Sequence, residues 1–211
     1  MIVFFILLEI AVFCGGMYLL NKYDKELGIE INWKEYAVIG VILSITEILL
    51  FSFYGYGREF GCHSLILFYL IVASYIDYRT KRVYRIGSLF FILLSMMMFA
   101  SSGNFSTAAG AERIFSILIF SLIVIIQGSK KMMGWGDVLT YIGVFFWLAS
   151  WEKEYLVIEL FAVYMMVANI LFLIFNIPKF DWKTRSMKEE TAFLPGMTGA
   201  AIILELSRMW M

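Results

Sequence analysis

The sequence predicts an all-α integral membrane protein with about eight transmembrane helices. Of its 211 residues, 62% are hydrophobic and only 16% are charged, and the mean hydropathy is +0.83. A soluble domain is nearer half apolar and a quarter charged. The apolar residues are spread over the whole length rather than gathered in one anchor. The chain therefore predicts a single multi-pass transmembrane domain over residues 1–211, with no separate soluble domain.

Each apolar run predicts one helix, because backbone within lipid must satisfy its own hydrogen bonds. The first run has no basic leading segment and no small-residue cleavage site, so we expect a retained helix and not a removed signal peptide. Polar, glycine-rich or basic segments separate the later runs. The predicted helices are Ile2–Leu20, Tyr36–Tyr54, Cys62–Asp77, Ile86–Ser102, Arg113–Gln127, Val138–Ser150, Tyr155–Asn176 and Ala192–Leu206.

The basic residues give an independent check on this topology. If both termini lie outside and the helices alternate, thirteen of the seventeen lysines and arginines fall in cytoplasmic loops. An excess of positive charge on the cytoplasmic side is the usual orientation signal. The four on the outer side are Arg58, Arg113, Lys153 and Arg208. Eight helices with both termini outside are therefore expected, in the cytoplasmic (inner) membrane.

Charge and cysteine content exclude several classes of function. The formal net charge is zero, so nothing indicates a nucleic-acid partner. The two cysteines, Cys14 and Cys62, form no Cys-x-x-Cys pair, so neither a zinc knuckle nor a thiol redox motif is predicted.

Two aspartates fall at the cytoplasmic ends of predicted helices. Asp77 ends the third and Asp137 begins the sixth, within Gly134-Trp135-Gly136-Asp137. The topology places both carboxyl groups at one membrane depth. A charged group near hydrocarbon usually faces a cavity or a partner. Two carboxyl groups at close range share a proton, and such a pair can activate water against a peptide carbonyl and protonate the leaving amine. Gly134 and Gly136 are predicted to permit unusual backbone shapes and a close approach of substrate.

A purely structural interpretation is open for each aspartate. An acidic residue in the first turn of a helix is often a cap and a partner of the helix dipole, which would explain Asp137. Asp77 alone could be an interfacial residue paired with Arg79 or Arg82.

The order of several motifs resembles the type IV prepilin peptidases. Gly134-Trp135-Gly136-Asp137 is similar to their Gly-x-Gly-Asp motif, which presenilin-type proteases share. Asp77 with the basic segment to Val83 is similar to the first-aspartate segment. Ala192 to Gly196 resembles the Pro-Phe-x-Pro stretch that opens the last helix, and Cys14 to Lys22 loosely resembles the Gly-Ser-Phe-Leu-Asn segment. With eight predicted helices, the resemblance covers nearly the whole chain.

The resemblance implies a specific activity. The protein would be an aspartic endopeptidase that cleaves the short basic leader of a prepilin-like substrate, a type IV pilin or pseudopilin with a single membrane helix, at the cytoplasmic face. Asp77 and Asp137 would share the acid and base roles, and no metal or organic cofactor would be needed. That function serves pilus assembly and protein secretion.

The chain departs from the family at three points. Leu139 stands where the family usually has lysine, and Val83-Tyr84 stand where it usually has Ile-Pro. The segment Asn21–Glu35 is too short for the cytosolic zinc insert of the bifunctional members, so the resemblance implies no methyltransferase activity. Two alternatives stay open: a related protease for another signal-like membrane peptide, and a non-catalytic or transport protein of the same fold.

Several other ionisable residues lie outside the aspartate pair. Glu9, Glu47 and Glu159 lie inside predicted helices, where they could line a polar cavity or hydrogen-bond neighbouring helices. His63 is predicted at the outer membrane interface. Three acidic residues of the last loop suit a basic leader: Asp181, Glu189 and Glu190.

Overall fold

A computed structural model describes residues 2–23, 32–103, 108–151, 156–177, 180–181, 186–187 and 191–210. The all-α prediction is confirmed in these ranges, which hold eight helices. A two-residue antiparallel ladder joins β1 (Phe180–Asp181) and β2 (Ser186–Met187) within the predicted last loop. The helices are α1 (Ile2–Tyr23), α2 (Trp33–Tyr54), α3 (Arg58–Thr80), α4 (Arg85–Ser101), α5 (Ala108–Ser129), α6 (Trp135–Ala149), α7 (Val157–Asn176) and α8 (Leu194–Trp210).

Five of these helices, α1, α2, α3, α5 and α7, are long and apolar enough to cross a membrane. Helices α4 and α6 are apolar but shorter. At 1.5 Å per residue the 15 residues of α6 extend only about 22 Å, less than the hydrocarbon thickness of about 30 Å. The chain is thus a multi-pass membrane protein. Its cytoplasmic-membrane location and the outward position of both termini stay predictions.

Helix α6 is the most enclosed helix of the bundle. It packs against α4, α5 and α7, and most of its residues are buried. Its large side chains Tyr141, Phe145 and Trp147 are fully buried and form the centre of the main core. A smaller core joins α1, α2 and α3, and α8 packs on both α3 and α7. Helix α8 therefore connects the two parts of the bundle.

Glycines let some of these helices approach closely. A Cβ atom at Gly143 of α6 would overlap the Phe91 ring of α4. One at Gly196 of α8 would lie 2.7 Å from the Ala168 carbonyl oxygen of α7. Small residues at helix contacts are the usual means of bringing membrane helices together.

Hydropathy placed the start of two functionally important helices too late. Helix α3 begins at Arg58, not Cys62, and α6 begins at Trp135, not Val138. Backbone hydrogen bonding continues through polar residues and glycine, whereas an apolar run ends at them. As a consequence, Gly136 and Asp137 belong to the first turn of α6 and not to a loop before it.

His63 is buried in the protein, near the start of α3. Its position at the depth of the outer membrane interface stays a prediction. Its side chain lies 3.1 Å from the Glu205 carboxylate of α8, and both residues are almost fully buried. The Tyr54 ring stacks on the imidazole at 4.6 Å and its hydroxyl donates to Glu205. These contacts tie the ends of α2, α3 and α8 together. His63 precedes Asp77 by fourteen residues of α3, about 21 Å along the helix axis.

Replacing Glu205 by alanine is expected to destabilise the fold by about 1–3 kcal/mol, because it leaves buried polar atoms of His63 and Tyr54 without their Glu205 partner. Thermal unfolding in detergent measures the effect. The matched control is Glu59→Ala, because Glu59 is exposed at the start of α3. Equal unfolding temperatures for the two variants would contradict a stabilising role for the pair.

Candidate active site

Asp77 lies in the last turn of α3 and is 3% exposed. Its Oδ2 accepts a hydrogen bond of 3.0 Å from the backbone N–H of Leu194, the first residue of α8. The backbone N–H of Phe193 also donates to this carboxyl group. The first N–H groups of a helix have no partner within the helix and carry partial positive charge. Asp77 therefore fixes the N-terminus of α8 against the end of α3.

The alternative that Asp77 pairs with Arg79 or Arg82 is not what the structure shows. Arg79 instead lies 3.3 Å from Glu35 at the start of α2. Asp77 interacts electrostatically with Lys81, and its hydrogen bonds come from the backbone.

Asp137 is the third residue of α6 and is 8% exposed. Its Oδ2 accepts a hydrogen bond of 3.1 Å from the backbone N–H of Gly134, the residue that caps the helix. Its Oδ1 is buried and has no hydrogen-bond partner among the described residues. Buried polar atoms are nearly always hydrogen-bonded, so an unpartnered carboxylate oxygen requires an explanation. The helix-cap interpretation accounts for one oxygen of Asp137 and leaves the other unused.

The fold brings the two aspartates, sixty residues apart in sequence, into one site. Their carboxyl groups are close enough for direct electrostatic interaction. The ring of Tyr141, one turn after Asp137, also contacts Phe193 at a centroid distance of 5.8 Å. Phe193 precedes Leu194, the residue hydrogen-bonded to Asp77. The start of α8 thus lies beside both carboxyl groups.

The two glycines of the motif are explained by packing. Neither Gly134 nor Gly136 has a positive φ, so the predicted need for an unusual backbone shape is wrong. A Cβ atom on Gly136 would overlap Cβ of Val83 and lie 2.8 Å from its carbonyl oxygen. A Cβ atom on Gly134 would lie 3.0 Å from Oδ2 of Asp137. Their predicted contact with substrate stays a prediction.

A hydroxyl network holds the first turn of α6 in place. The Thr140 hydroxyl donates to the Gly136 carbonyl at 2.9 Å, and the Ser88 hydroxyl of α4 lies 3.3 Å from the same oxygen. The Tyr69 hydroxyl of α3 donates to Ser88 at 3.1 Å. Sequence reasoning missed this network, since single hydroxyl residues inside apolar helices carry no local signal of their partners.

A largely apolar groove of about 780 Å³ runs beside the site, between α2, α3 and α8. Its walls include Ile39, Ile71 and Ile202. One end lies at the aspartate side of the bundle, where Ala192 and Pro195 flank the Phe193–Leu194 pair that donates to Asp77.

The groove ends in charged and polar side chains that sequence reasoning did not single out. They are Lys34, Glu35, Tyr78 and Lys81. Glu35 accepts hydrogen bonds from the Tyr75 hydroxyl at 2.9 Å and from Arg79 at 3.3 Å. Of the acidic residues suggested for a basic leader, Glu189 and Glu190 lie outside the described residues, as does the side chain of Asp181.

No protein-family model, curated protein or solved structure matches this chain. The resemblance to prepilin peptidases therefore rests on its motifs and their order alone.

Proposed function

We propose that this chain is a membrane aspartic endopeptidase that cleaves the short basic leader of prepilin-like substrates at the cytoplasmic membrane face. The observation that carries the proposal is the pair of buried carboxyl groups of Asp77 and Asp137, which interact with each other while one oxygen of Asp137 has no hydrogen-bond partner in the described part of the chain. A helix cap uses a single carboxyl group, whereas the aspartic mechanism of amide hydrolysis uses two that interact.

The chemistry follows from one shared proton. One carboxylate removes a proton from water as the water oxygen attacks the scissile carbonyl carbon. The other carboxyl group, in its protonated form, transfers its proton to the leaving nitrogen as the C–N bond breaks. The products are a new carboxyl terminus and a new amine, and the pair again holds one proton after exchange with solvent.

The groove beside the site suits a substrate with one membrane helix. Its apolar walls match a hydrophobic helix. Ser74, Tyr75 and Tyr78 of its lining flank Asp77 along α3, while neither aspartate itself lines the groove. Close helix packing would be helped by Gly199 and Thr198, which line the same groove.

Cleavage of a prepilin-like substrate by the purified protein in proteoliposomes tests the proposal. Mass spectrometry of the products should give a single cut between the basic leader and the hydrophobic helix. The control substrate has the same helix and no leader. If the intact substrate is recovered unchanged, or if cuts fall inside the membrane helix, the proposed function is wrong.

Transport is a second candidate, because α1 and α2 carry buried acids away from the aspartates. Glu9 and Glu47 are 6% and 1% exposed and interact with each other. The Ser64 hydroxyl of α3 donates to Glu9 at 2.9 Å, which confirms the predicted hydrogen bond to a neighbouring helix. Glu159, by contrast, is exposed in the first turn of α7. Intramembrane acids often mark proton or ion paths.

Glu9→Gln and Glu47→Gln separate the two candidates. In a peptidase these substitutions should leave the cleavage rate within a few-fold of wild type, because neither residue belongs to the aspartate site. Proton flux into proteoliposomes, read by an internal pH dye, is expected to be absent. Flux in wild type that both variants lose would favour transport instead.

A further inference from the structure

Tyr141 lies on the same face of α6 as Asp137, one turn further along the helix. It is fully buried, and its hydroxyl has no hydrogen-bond partner within the described residues. A buried tyrosine hydroxyl usually finds a partner, because burying an unpaired hydroxyl is unfavourable. The position of this hydroxyl therefore needs a reason beyond packing.

The ring of Tyr141 is held by aromatic contacts on several sides. Its centroid lies 5.8 Å from those of Phe145, Tyr164 and Phe193. Such contacts restrict the ring, so its hydroxyl has a fixed direction. Tyr164, the neighbouring tyrosine, is equally buried but donates to the Met197 carbonyl at 3.2 Å. Within the described residues, the Tyr164 hydroxyl therefore has a hydrogen-bond partner, whereas the Tyr141 hydroxyl has none.

Tyr141 and Asp137 interact electrostatically. Each presents a buried polar atom without a partner in the described part of the chain: the Tyr141 hydroxyl and Asp137 Oδ1. Both unused polar atoms therefore lie on the face of α6 that carries Asp137, the residue that interacts with Asp77.

We propose that Tyr141 is a catalytic residue that donates a hydrogen bond to the carbonyl oxygen of the scissile amide; this rests on the proposed peptidase function. When water attacks the carbonyl carbon, the C=O electron pair moves to oxygen, which becomes negatively charged. The water proton passes to the charged aspartate, and the protonated aspartate supplies the proton for the leaving amine. Tyr141 keeps its own proton throughout and stabilises the oxyanion by a hydrogen bond that strengthens as charge develops.

Tyr141→Phe tests this proposal, because it removes only the hydroxyl. Losing one oxyanion donor typically lowers kcat by a factor of about 100 to 1,000. We expect a fall of about 100-fold in kcat, little change in KM and an unchanged unfolding temperature. The matched control is Tyr164→Phe, which removes a hydroxyl from the same aromatic cluster and should keep kcat within a few-fold of wild type.

The outcomes are distinguishable. Suppose that wild type cleaves the substrate and that Asp77→Asn and Asp137→Asn do not. If Tyr141→Phe then keeps the wild-type kcat, the proposed function stands and the proposed role of Tyr141 is wrong. A parallel loss of kcat and unfolding temperature in both tyrosine variants would also overturn the role, since it would show a packing effect. If wild type cleaves no prepilin-like substrate, the proposed function fails and the role of Tyr141 fails with it.

Discussion

Asp77→Asn and Asp137→Asn are each expected to abolish leader cleavage, with a loss of about 1,000-fold or more. General acid–base catalysis by a positioned side chain contributes about 100- to 10,000-fold, and each substitution removes one of the two ionisable groups on which the reaction depends. Single-turnover cleavage of a prepilin-like substrate measures the loss.

These substitutions separate catalysis from helix capping. An asparagine side chain keeps an oxygen acceptor of the same size. The amide oxygen introduced by Asp77→Asn could still accept the Leu194 N–H, and the one introduced by Asp137→Asn could still accept the Gly134 N–H. Both caps should therefore persist, and the unfolding temperatures should stay close to wild type.

Glu159→Gln is the matched control for both asparagine variants, because it neutralises an exposed carboxyl group of α7. It should leave both the cleavage rate and the unfolding temperature close to wild type. Substantial cleavage by either asparagine variant would leave capping as the sufficient explanation for that aspartate.

Gly196→Ala is expected to lower both stability and cleavage. The added Cβ would lie 2.7 Å from the Ala168 carbonyl oxygen and 2.9 Å from the Phe172 backbone nitrogen. Backbone atoms cannot rotate away, so α8 must shift from α7. Overpacking of this kind usually costs about 1–3 kcal/mol. The shift begins two residues from Leu194, so it should also loosen the hydrogen bond to Asp77.

Gly199→Ala provides the comparison on the same helix. A Cβ at Gly199 would lie 2.8 Å from one methyl carbon of Leu171, a side chain that can change rotamer. Its unfolding temperature in detergent should lie closer to wild type than that of Gly196→Ala. If the two variants are equally stable, or if Gly196→Ala cleaves at the wild-type rate, the close contact between α7 and α8 does not position the site.

The helices could be predicted because each is indicated by a continuous apolar stretch of the sequence. An apolar run of sufficient length in a chain of this composition predicts a membrane helix, and all eight runs are helical in the described residues. The last helix was predicted from Ala192 and begins at Leu194, with Pro195 in its first turn, where a missing N–H is harmless. The starts of α3 and α6 were predicted too late, because Arg58 and Gly136 continue a helix without contributing apolar character.

The candidate site could be predicted only in part. The alternation of helices predicted that the end of α3 and the start of α6 lie on one side of the membrane, and therefore that Asp77 and Asp137 do. The hydrogen-bond partners of these aspartates could not be predicted from the sequence. Leu194 lies 117 residues beyond Asp77 and donates through its backbone N–H, which has no sequence signature. For the same reason the His63–Glu205 pair and the Tyr141 hydroxyl emerge only when the helices are packed.

The most direct test of a shared two-aspartate mechanism is the cleavage rate of the double variant Asp77→Asn/Asp137→Asn beside the two single variants. Residues that act as one catalytic unit are strongly non-additive, because losing either one disables the unit. We expect the double variant to cleave about as fast as the less active of the two single variants. Wild type should be at least about 1,000-fold faster than the double variant and than each single variant. Independent losses that multiply in the double variant, or one single variant that cleaves at the wild-type rate, would contradict a catalytic pair.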